Sequence, residues 1–453
     1  MRLNACDQTA QSRREHVYDR PRFSFSLPEE GSILRFKGAT AVWLLVPALA
    51  VGVAACGDDE KEGSGSSGAT TGSTNLTIYS SLPLQGTSRG QSEAVINGER
   101  LALDEVGSKV GKFTIEYVSL DDSTAQNPGT ADEGKTAQNA RQAIRDKSTI
   151  FYLGEFNSGG TKVSLPILNK AGIPQISPSN TYIGLTTDEP GSEPGEPDKY
   201  YPTATRTYAR IVPRDKIQGA ALVSVMKEDG CKTVTLWNDK STYGAGLARN
   251  VKQSAETAAL TIENEEGTDK NSPNYRSIAS KIKSDCFLWA GVTGENGVQV
   301  YKDVAKAAPD AKLYGPDGVT EEAFSNPKEG GVPASVGART KTTVATLGAK
   351  DLPGSAPIIE KFKTKYKTQT VDPYAIYGYE TMALALDVLK RAGAKANDRA
   401  EVVRQLFATK DRSSVLGTYS IDPNGDTTLA DYGLYVIKDG LPEYSKKIEA
   451  AVE

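Results

Sequence analysis

The amino-acid sequence predicts an α/β protein built from two doubly wound, parallel-sheet lobes, and three observations predict it. From Leu76 onward short β-rich runs alternate with amphipathic helical windows, the order that lays parallel strands side by side with helices crossing over them. The rhythm breaks once, over residues 187–202, and then resumes, so a second lobe is expected. Several of the expected strands run out into short stretches rich in Ser, Thr, Asn, Asp and Gly, which is where open α/β sheets bind ligands.

The first 75 residues read as address rather than fold. Residues 39–55 are apolar or small, follow Arg35 and Lys37, and end in Val53-Ala54-Ala55 directly before Cys56. This is a signal peptide of the lipoprotein type, with Cys56 as the lipidated residue. A membrane span is the competing reading, since about 17 apolar residues is the lower edge for crossing a bilayer. The polar run Gly57-Asp58-Asp59-Glu60-Lys61-Glu62 follows at once and favours processing. The Gly/Ser/Thr-rich stretch after it is a flexible tether whose random-coil reach is about 20–25 Å. Residues 1–31, with Arg13, Arg14, Arg20 and Arg22 beside prolines, resemble no secretory leader, so the true translation start is expected near Ile33 or Leu34.

In the body, residues 76–80 form the first strand and a helix runs through Ala94, Leu101 and Val106. A strand is expected over 113–120, a helix over 131–146, a strand over 149–153, a helix over 161–170 and a strand over 173–176. Residues 187–202, with four prolines among acidic residues, read as a surface loop. Beyond it come helices near 215–228, 244–259, 275–284 and 297–308, and strands at 233–237, 260–265, 287–290 and 312–314. Tyr379, Met382, Leu386 and Leu389 put one apolar face on a long helix at 377–391, which reads as core. Asp422-Pro423-Asn424-Gly425-Asp426 reads as a hairpin turn ahead of a strand at 432–437. Cys231 and Cys286 each open an expected strand, and the two strands are neighbours in a doubly wound sheet. In an oxidising exterior they are expected to form a disulfide, worth roughly 4 kcal/mol for a loop of this length.

Composition excludes much chemistry. The chain has 453 residues, 53 Lys and Arg against 57 Asp and Glu, a formal net charge of −4, and one histidine, His16. A balanced charge offers no basic stripe for nucleic acid. The chain from Cys56 onward has no histidine, which removes His-based triads, Cys-His dyads and the usual zinc sites. An enzyme is therefore not expected, and no cofactor or metal is called for. Gly129-Thr130-Ala131-Asp132-Glu133-Gly134-Lys135-Thr136 matches the phosphate-loop pattern literally. Eight residues, Pro128 among them, separate it from the preceding strand, and Asp132 and Glu133 would repel phosphate.

Four strand ends are placed for binding. Ser158 and Gly159 follow the strand at 149–153 and start a helix, whose N-terminal amides suit a carboxylate. Asn180 and Thr181 follow the next strand. In the second half, Tyr243 and Asp317 follow strands and supply a phenol and a carboxylate. A small zwitterion between the lobes would meet donors for its carboxylate on one side and Asp317 for its ammonium on the other. Taken singly, Ser158 and Thr181 also read as helix caps, Tyr243 as a packing residue and Asp317 as a turn residue. Their joint placement after successive strands is the stronger signal.

These segments, with Tyr208-Ala209-Arg210-Ile211-Val212-Pro213-Arg214-Asp215 and Gln218-Gly219 between them, resemble the leucine/isoleucine/valine-binding (branched-chain amino acid) family of ABC-transporter substrate-binding proteins over nearly all of residues 76–440. The resemblance implies a type I periplasmic-binding fold, two lobes with a hinge of three crossovers that close on a ligand and present it to a membrane permease. It assigns Ser158, Asn180 and Thr181 to the α-carboxylate, Tyr243 to the cleft lining and Asp317 to the α-ammonium. The domains expected are a leader and signal (1–55), a lipidated cysteine and linker (56–75), lobe one (76–203 and about 342–414) and lobe two (204–341 and about 415–453). The family often has Glu where Asp317 stands, and an aromatic where this chain has Val292-Thr293, which leaves room for polar amino acids, amides or urea-like ligands. The expected protein is monomeric and lipid-anchored on the outer face of the cell membrane or in the periplasm. Its partners would be a small ligand and an ABC permease, with no nucleic acid. A sensory module of the same fold is the alternative, and import is preferred because no signalling domain follows Glu453.

Overall fold

The computed structural model describes residues 74–352, 354–448 and 450; the expected signal peptide, Cys56 and tether lie outside them. In chain order the first part is β1 (Asn75–Leu82), α1 (Arg89–Glu105), β2 (Lys109–Val110), β3 (Phe113–Asp121), α2 (Glu133–Arg145), β4 (Thr149–Gly154), α3 (Ser158–Lys170), β5 (Gln175–Ser177) and β6 (Tyr208–Arg210). Its sheet has the order β2-β3-β1-β4-β5-β6, parallel except for the short edge strand β2. The apolar runs of β1 and β4 are buried almost throughout, as central parallel strands covered on both faces must be.

The second part is α4 (Asp215–Glu228), β7 (Thr233–Asn238), α5 (Thr242–Thr257), β8 (Thr261–Gly267), α6 (Arg276–Ala279), β9 (Cys286–Ala290), α7 (Gly297–Ala307), β10 (Lys312–Gly315), the short helices α8 (Glu322–Ser325) and α9 (Ala334–Gly337), and β11 (Thr340–Val344). The chain then forms α10 (Ser355–Tyr366), α11 (Tyr374–Ala392), α12 (Arg399–Phe407), the hairpin β12 (Arg412–Ser414) and β13 (Gly417–Tyr419), and the antiparallel pair β14 (Tyr432–Lys438) and β15 (Leu441–Ile448). The second sheet has the order β15-β14-β11-β10-β9-β7-β8, with β14 and β15 antiparallel on one side of a parallel set.

The chain leaves the first sheet after β6, leaves the second after β11, and re-enters it at β14. Long-range packing of α11 on α1 returns the third stretch to the first sheet. Gly98 and Gly378 sit at that crossing: a Cβ on Gly98 would strike the carbonyl of Ala375, and one on Gly378 the backbone of Val95. Glycine at both positions lets the helix backbones approach this closely. Met382, Leu386 and Leu389 are buried and Tyr379 packs at the margin of the same core.

Local chemistry explains the helix starts. Asp132 accepts a hydrogen bond from the Lys135 amide at 2.9 Å and another from Asn127 Nδ2 at 2.7 Å, so the phosphate-loop look-alike is the cap of α2. Ser241 caps α5 through the Gly244 amide at 3.0 Å. The second lobe is cored by aromatic side chains, Trp237, Phe287, Tyr301 and Phe324, packed edge to face with centroids 4.9–5.8 Å apart. The Sγ atoms of Cys231 and Cys286 are bonded, with Cα atoms 6.0 Å apart; Cys286 opens β9, and Cys231 stands two residues before β7.

Two expectations are corrected. The helix expected over 275–284 is the single turn α6, because Ser280 Oγ bonds back to the Ser277 carbonyl at 2.8 Å and competes with the helical ladder. Residues 187–202 are not simply a surface loop. Glu196 is buried and accepts hydrogen bonds from Tyr182 at 2.6 Å, Tyr200 at 2.5 Å and the Glu193 amide at 2.7 Å. The prolines and acids shape a strap pinned at its centre by one carboxylate.

Candidate functional site

The site forms where the carboxyl ends of strands from both sheets face each other. The Gly154-Glu155-Phe156-Asn157 turn after β4 delivers Ser158 as the first residue of α3, with Asn157 in extended geometry before it. The turn after β5 is fastened to it. Ser177 Oγ donates to the Glu155 carbonyl at 2.9 Å and accepts from the Asn180 amide at 3.0 Å, while Ser179 Oγ donates to the Phe156 carbonyl at 2.8 Å. The Tyr182 amide reaches Ser158 Oγ at 3.4 Å. The two donor-bearing turns of the first lobe are therefore one rigid unit.

From the second lobe, β7 leads into α5 and places Tyr243 one residue inside the helix, while β10 ends at Gly315 and the following turn carries Asp317. The Tyr243 hydroxyl donates to Asp317, and Gln218 Nε2 donates to the same carboxylate oxygen at 2.8 Å and to the Thr343 carbonyl at 3.0 Å. Burial pushes the Asp317 carboxyl up, against the pull of these two donors. Asp215 lies beside it, fully buried with neither oxygen hydrogen-bonded, and is raised by burial and then by repulsion from Asp317. Asp239, raised by burial to about 6, braces the lobe by accepting the Ser241 amide at 2.9 Å and the Val292 amide at 3.0 Å.

Ser158, Thr181, Tyr243 and Asp317 line one narrow cleft. Gly159 and Asn180 are not among its lining residues. The Asn180 side chain is engaged elsewhere: it donates to the Glu155 and Phe156 carbonyls at 3.0 and 2.8 Å and accepts from Thr161 and, at 3.2 Å, from Tyr208. It holds the two turns together, one layer behind the cleft. A Cβ on Gly159 would approach Thr242 Oγ1 of the opposite lobe at 3.9 Å, which puts this residue at the rim where the lobes meet.

Sequence reasoning missed Ser88, Gln91, Glu321 and Tyr374, all lining the cleft, whereas Val292 lines it at the strand end where the resemblance placed an aromatic. Ser88 obeys the same strand-end rule, following β1, and could have been found by it. Tyr374 opens α11 and arrives through the last third of the chain, where it packs on Phe156 with ring centroids 5.3 Å apart. Gln91 Nε2 donates to the Thr320 carbonyl at 2.9 Å, a direct bond from the first lobe to the second beside the cleft. None of the cleft-lining residues is Lys, Arg or His, whereas Asp317 and Glu321 are both acids. Among the described residues no group of three His, Cys, Asp or Glu is placed to hold a metal ion. The arrangement can bind and enclose a polar ligand with a cationic end.

Known proteins share this construction. The "Leu/Ile/Val-binding protein homolog 2" of Brucella abortus (strain 2308) is 23% identical over 366 residues, covering 79% of this chain and 89% of its own length. A leucine binding protein of Thermotoga maritima MSB8 superposes with a TM-score of 0.69 at 20% identity, over 82% of this chain and 98% of that one. A branched-chain amino acid transporter substrate binding protein of Streptococcus pneumoniae, solved with isoleucine, superposes with a TM-score of 0.67 at 20% identity, over 83% and 99%. The sequence model of the family described as periplasmic binding protein matches residues 78–441, about four-fifths of the chain, and the protein belongs to that family.

Proposed function

We propose that the protein is the extracytoplasmic solute-binding component of an ABC importer and that it captures an α-amino acid between its lobes. The observation that carries this reading is the pairing, across one cleft, of Ser158, Thr181 and the first amides of α3 on one lobe with Asp317, Tyr243 and Gln218 on the other. A carboxylate suits the helix N-terminus and its hydroxyls, and an ammonium suits a carboxylate already fixed by two donors. The relatives' names point the same way, to branched-chain amino acids. Lobe closure follows from differential affinity, because only the closed cleft offers both halves of the zwitterion site at once. The lobes divide at the three crossings between the sheets.

The same reading includes a lipid anchor at Cys56, a tether to residue 75, a single copy of the chain as the working unit, and delivery to a membrane permease. The apolar run ending at Cys56 supports the anchor, and among the described residues no helix is long and apolar enough to cross a membrane. Sensing by the same fold is not favoured by the relatives, which are named for binding and transport.

A thermal-shift and calorimetric screen of the purified protein over amino acids and small amides tests the proposal. A ligand of micromolar affinity, present at millimolar concentration, should stabilise the fold by about 4 kcal/mol through mass action. Absence of any response to every α-amino acid would remove the zwitterion reading.

A further inference from the structure

We infer that the cleft carries a second acidic recognition point, Glu321, and that the captured ligand is an amino acid with a cationic side chain, its α-ammonium on Asp317 and its side-chain cation on Glu321. The inference rests on the reading of the cleft as an α-amino-acid site and names the class of amino acid.

Glu321 lines the same cleft as Asp317, only 4% exposed, four residues further along the chain. Its Oε1 has no hydrogen-bond partner. A buried, unpaired carboxyl oxygen is expensive to leave unsatisfied, and at the wall of a binding cleft its natural partner is a donor on the ligand. The groups facing Glu321 come from three other segments: the hydroxyls of Thr87 and Ser88 ahead of α1, Thr293 after β9, and the carboxyl of Asp372 ahead of α11. Burial pushes Glu321 up to about 7, and repulsion from Asp372 adds to this against the three hydroxyls. The carboxyl is therefore poised to ionise when a cation arrives. The acidic balance of the lining agrees, since a ligand with one carboxylate and one ammonium neutralises Asp317 and leaves Glu321 unanswered.

Isothermal titration of the full-length protein with L-ornithine, L-lysine, L-arginine, L-leucine and L-glutamine tests the inference. At pH 8 at least one of the three dibasic ligands should bind tenfold or more tightly than leucine or glutamine. Its affinity should fall from pH 8 to pH 6, with proton release seen as a dependence of the heat on the buffer's ionisation enthalpy. Glu321→Leu should weaken the dibasic ligand tenfold or more and so erase its preference over leucine, with the cooperative unfolding transition reporting that the variant is folded. Should Glu321→Leu bind nothing, Glu321→Gln keeps the volume, and its loss of the pH dependence is the deciding result. Leucine or glutamine binding wild-type protein as tightly as every dibasic ligand would overturn the inference and leave the zwitterion site standing. Binding of no amino acid at all would overturn both.

Discussion

At the scale of single residues, the geometry separates groups that line the cleft from groups that hold those groups in place. Asp317 is the proposed recognition residue, since two donors orient its carboxylate where it lines the cleft. Replacing it with Asn removes the charge and keeps the shape. Since breaking one side of a buried charged pair costs about 2–5 kcal/mol, amino-acid affinity should fall roughly 30-fold or more by calorimetry with little change in the unfolding midpoint. Tyr243→Phe should be milder, about tenfold, because Gln218 still orients the carboxylate. Equal effects of the two variants would show that Asp317 acts through Tyr243 and not on the ligand. Asn180 shows where reading residue types runs out. Its amide at a strand end predicts a ligand donor, yet two carbonyls one layer behind the cleft claim both its hydrogens. Donor capacity is visible in a sequence, but the partner that satisfies it is not. Glu321 is the converse case: no motif in the sequence singles it out, and the fold buries it at the cleft wall.

At the scale of elements, the strand and helix rhythm was legible because burial imposes its period on the sequence, and the lobe-two disulfide followed from strand order. The Cys231–Cys286 bond joins positions 55 residues apart. Serine at both should lower stability by about 4 kcal/mol in urea denaturation, with ligand affinity unchanged because the bond lies at the amino ends of the strands, away from the site. A loss below about 1 kcal/mol would mean that the local packing carries this region unaided. The elements that were not legible are those fixed by distant partners. Arg210 in β6 is fully buried. Its Nε donates to Asp426 Oδ1 at 2.8 Å, Nη1 to the Asn180 and Tyr182 carbonyls at 3.1 and 2.9 Å, and Nη2 to Thr186 Oγ1 at 2.7 Å. Asp426 lies in the turn that composition reads only as a hairpin. Asp426→Ala leaves a buried guanidinium unpaired, so a loss of about 3–5 kcal/mol is expected in the same assay. An effect under 1 kcal/mol would place Arg210 in contact with water in solution.

At the scale of the whole molecule, the acids fall into two populations whose opposition sets how stability depends on pH. Hydrogen bonds hold Asp285 and Glu401 down at about 2, and Asp121, Asp132, Asp146, Asp229 and Glu196 are lowered as well. Such groups bind fewer protons folded than unfolded, so their contribution is present above about pH 4 and is lost as the pH falls toward 2. Burial raises Glu99 and Glu321 to about 7 and Asp239 and Asp372 to about 6, with Asp122, Glu155, Asp215 and Asp317 also raised. These bind more protons folded than unfolded, so stability declines as the pH rises from about 4 through 7. The ligand-free protein should therefore be most stable near pH 5 and weaker at pH 8, the opposite of a protein whose buried acids are all ion-paired. The window is unusually clean, because residues 56–453 contain no histidine and the slope between pH 5 and 8 belongs chiefly to carboxyls. Urea denaturation of untagged protein at pH 5, 6, 7 and 8 measures it. A cationic amino acid that ionises Glu321 on binding should flatten the decline, since that group would no longer take up a proton in the folded state. Stability that is level or rising from pH 5 to pH 8 without ligand would mean that water reaches the buried acids and that the cleft is open in solution when empty.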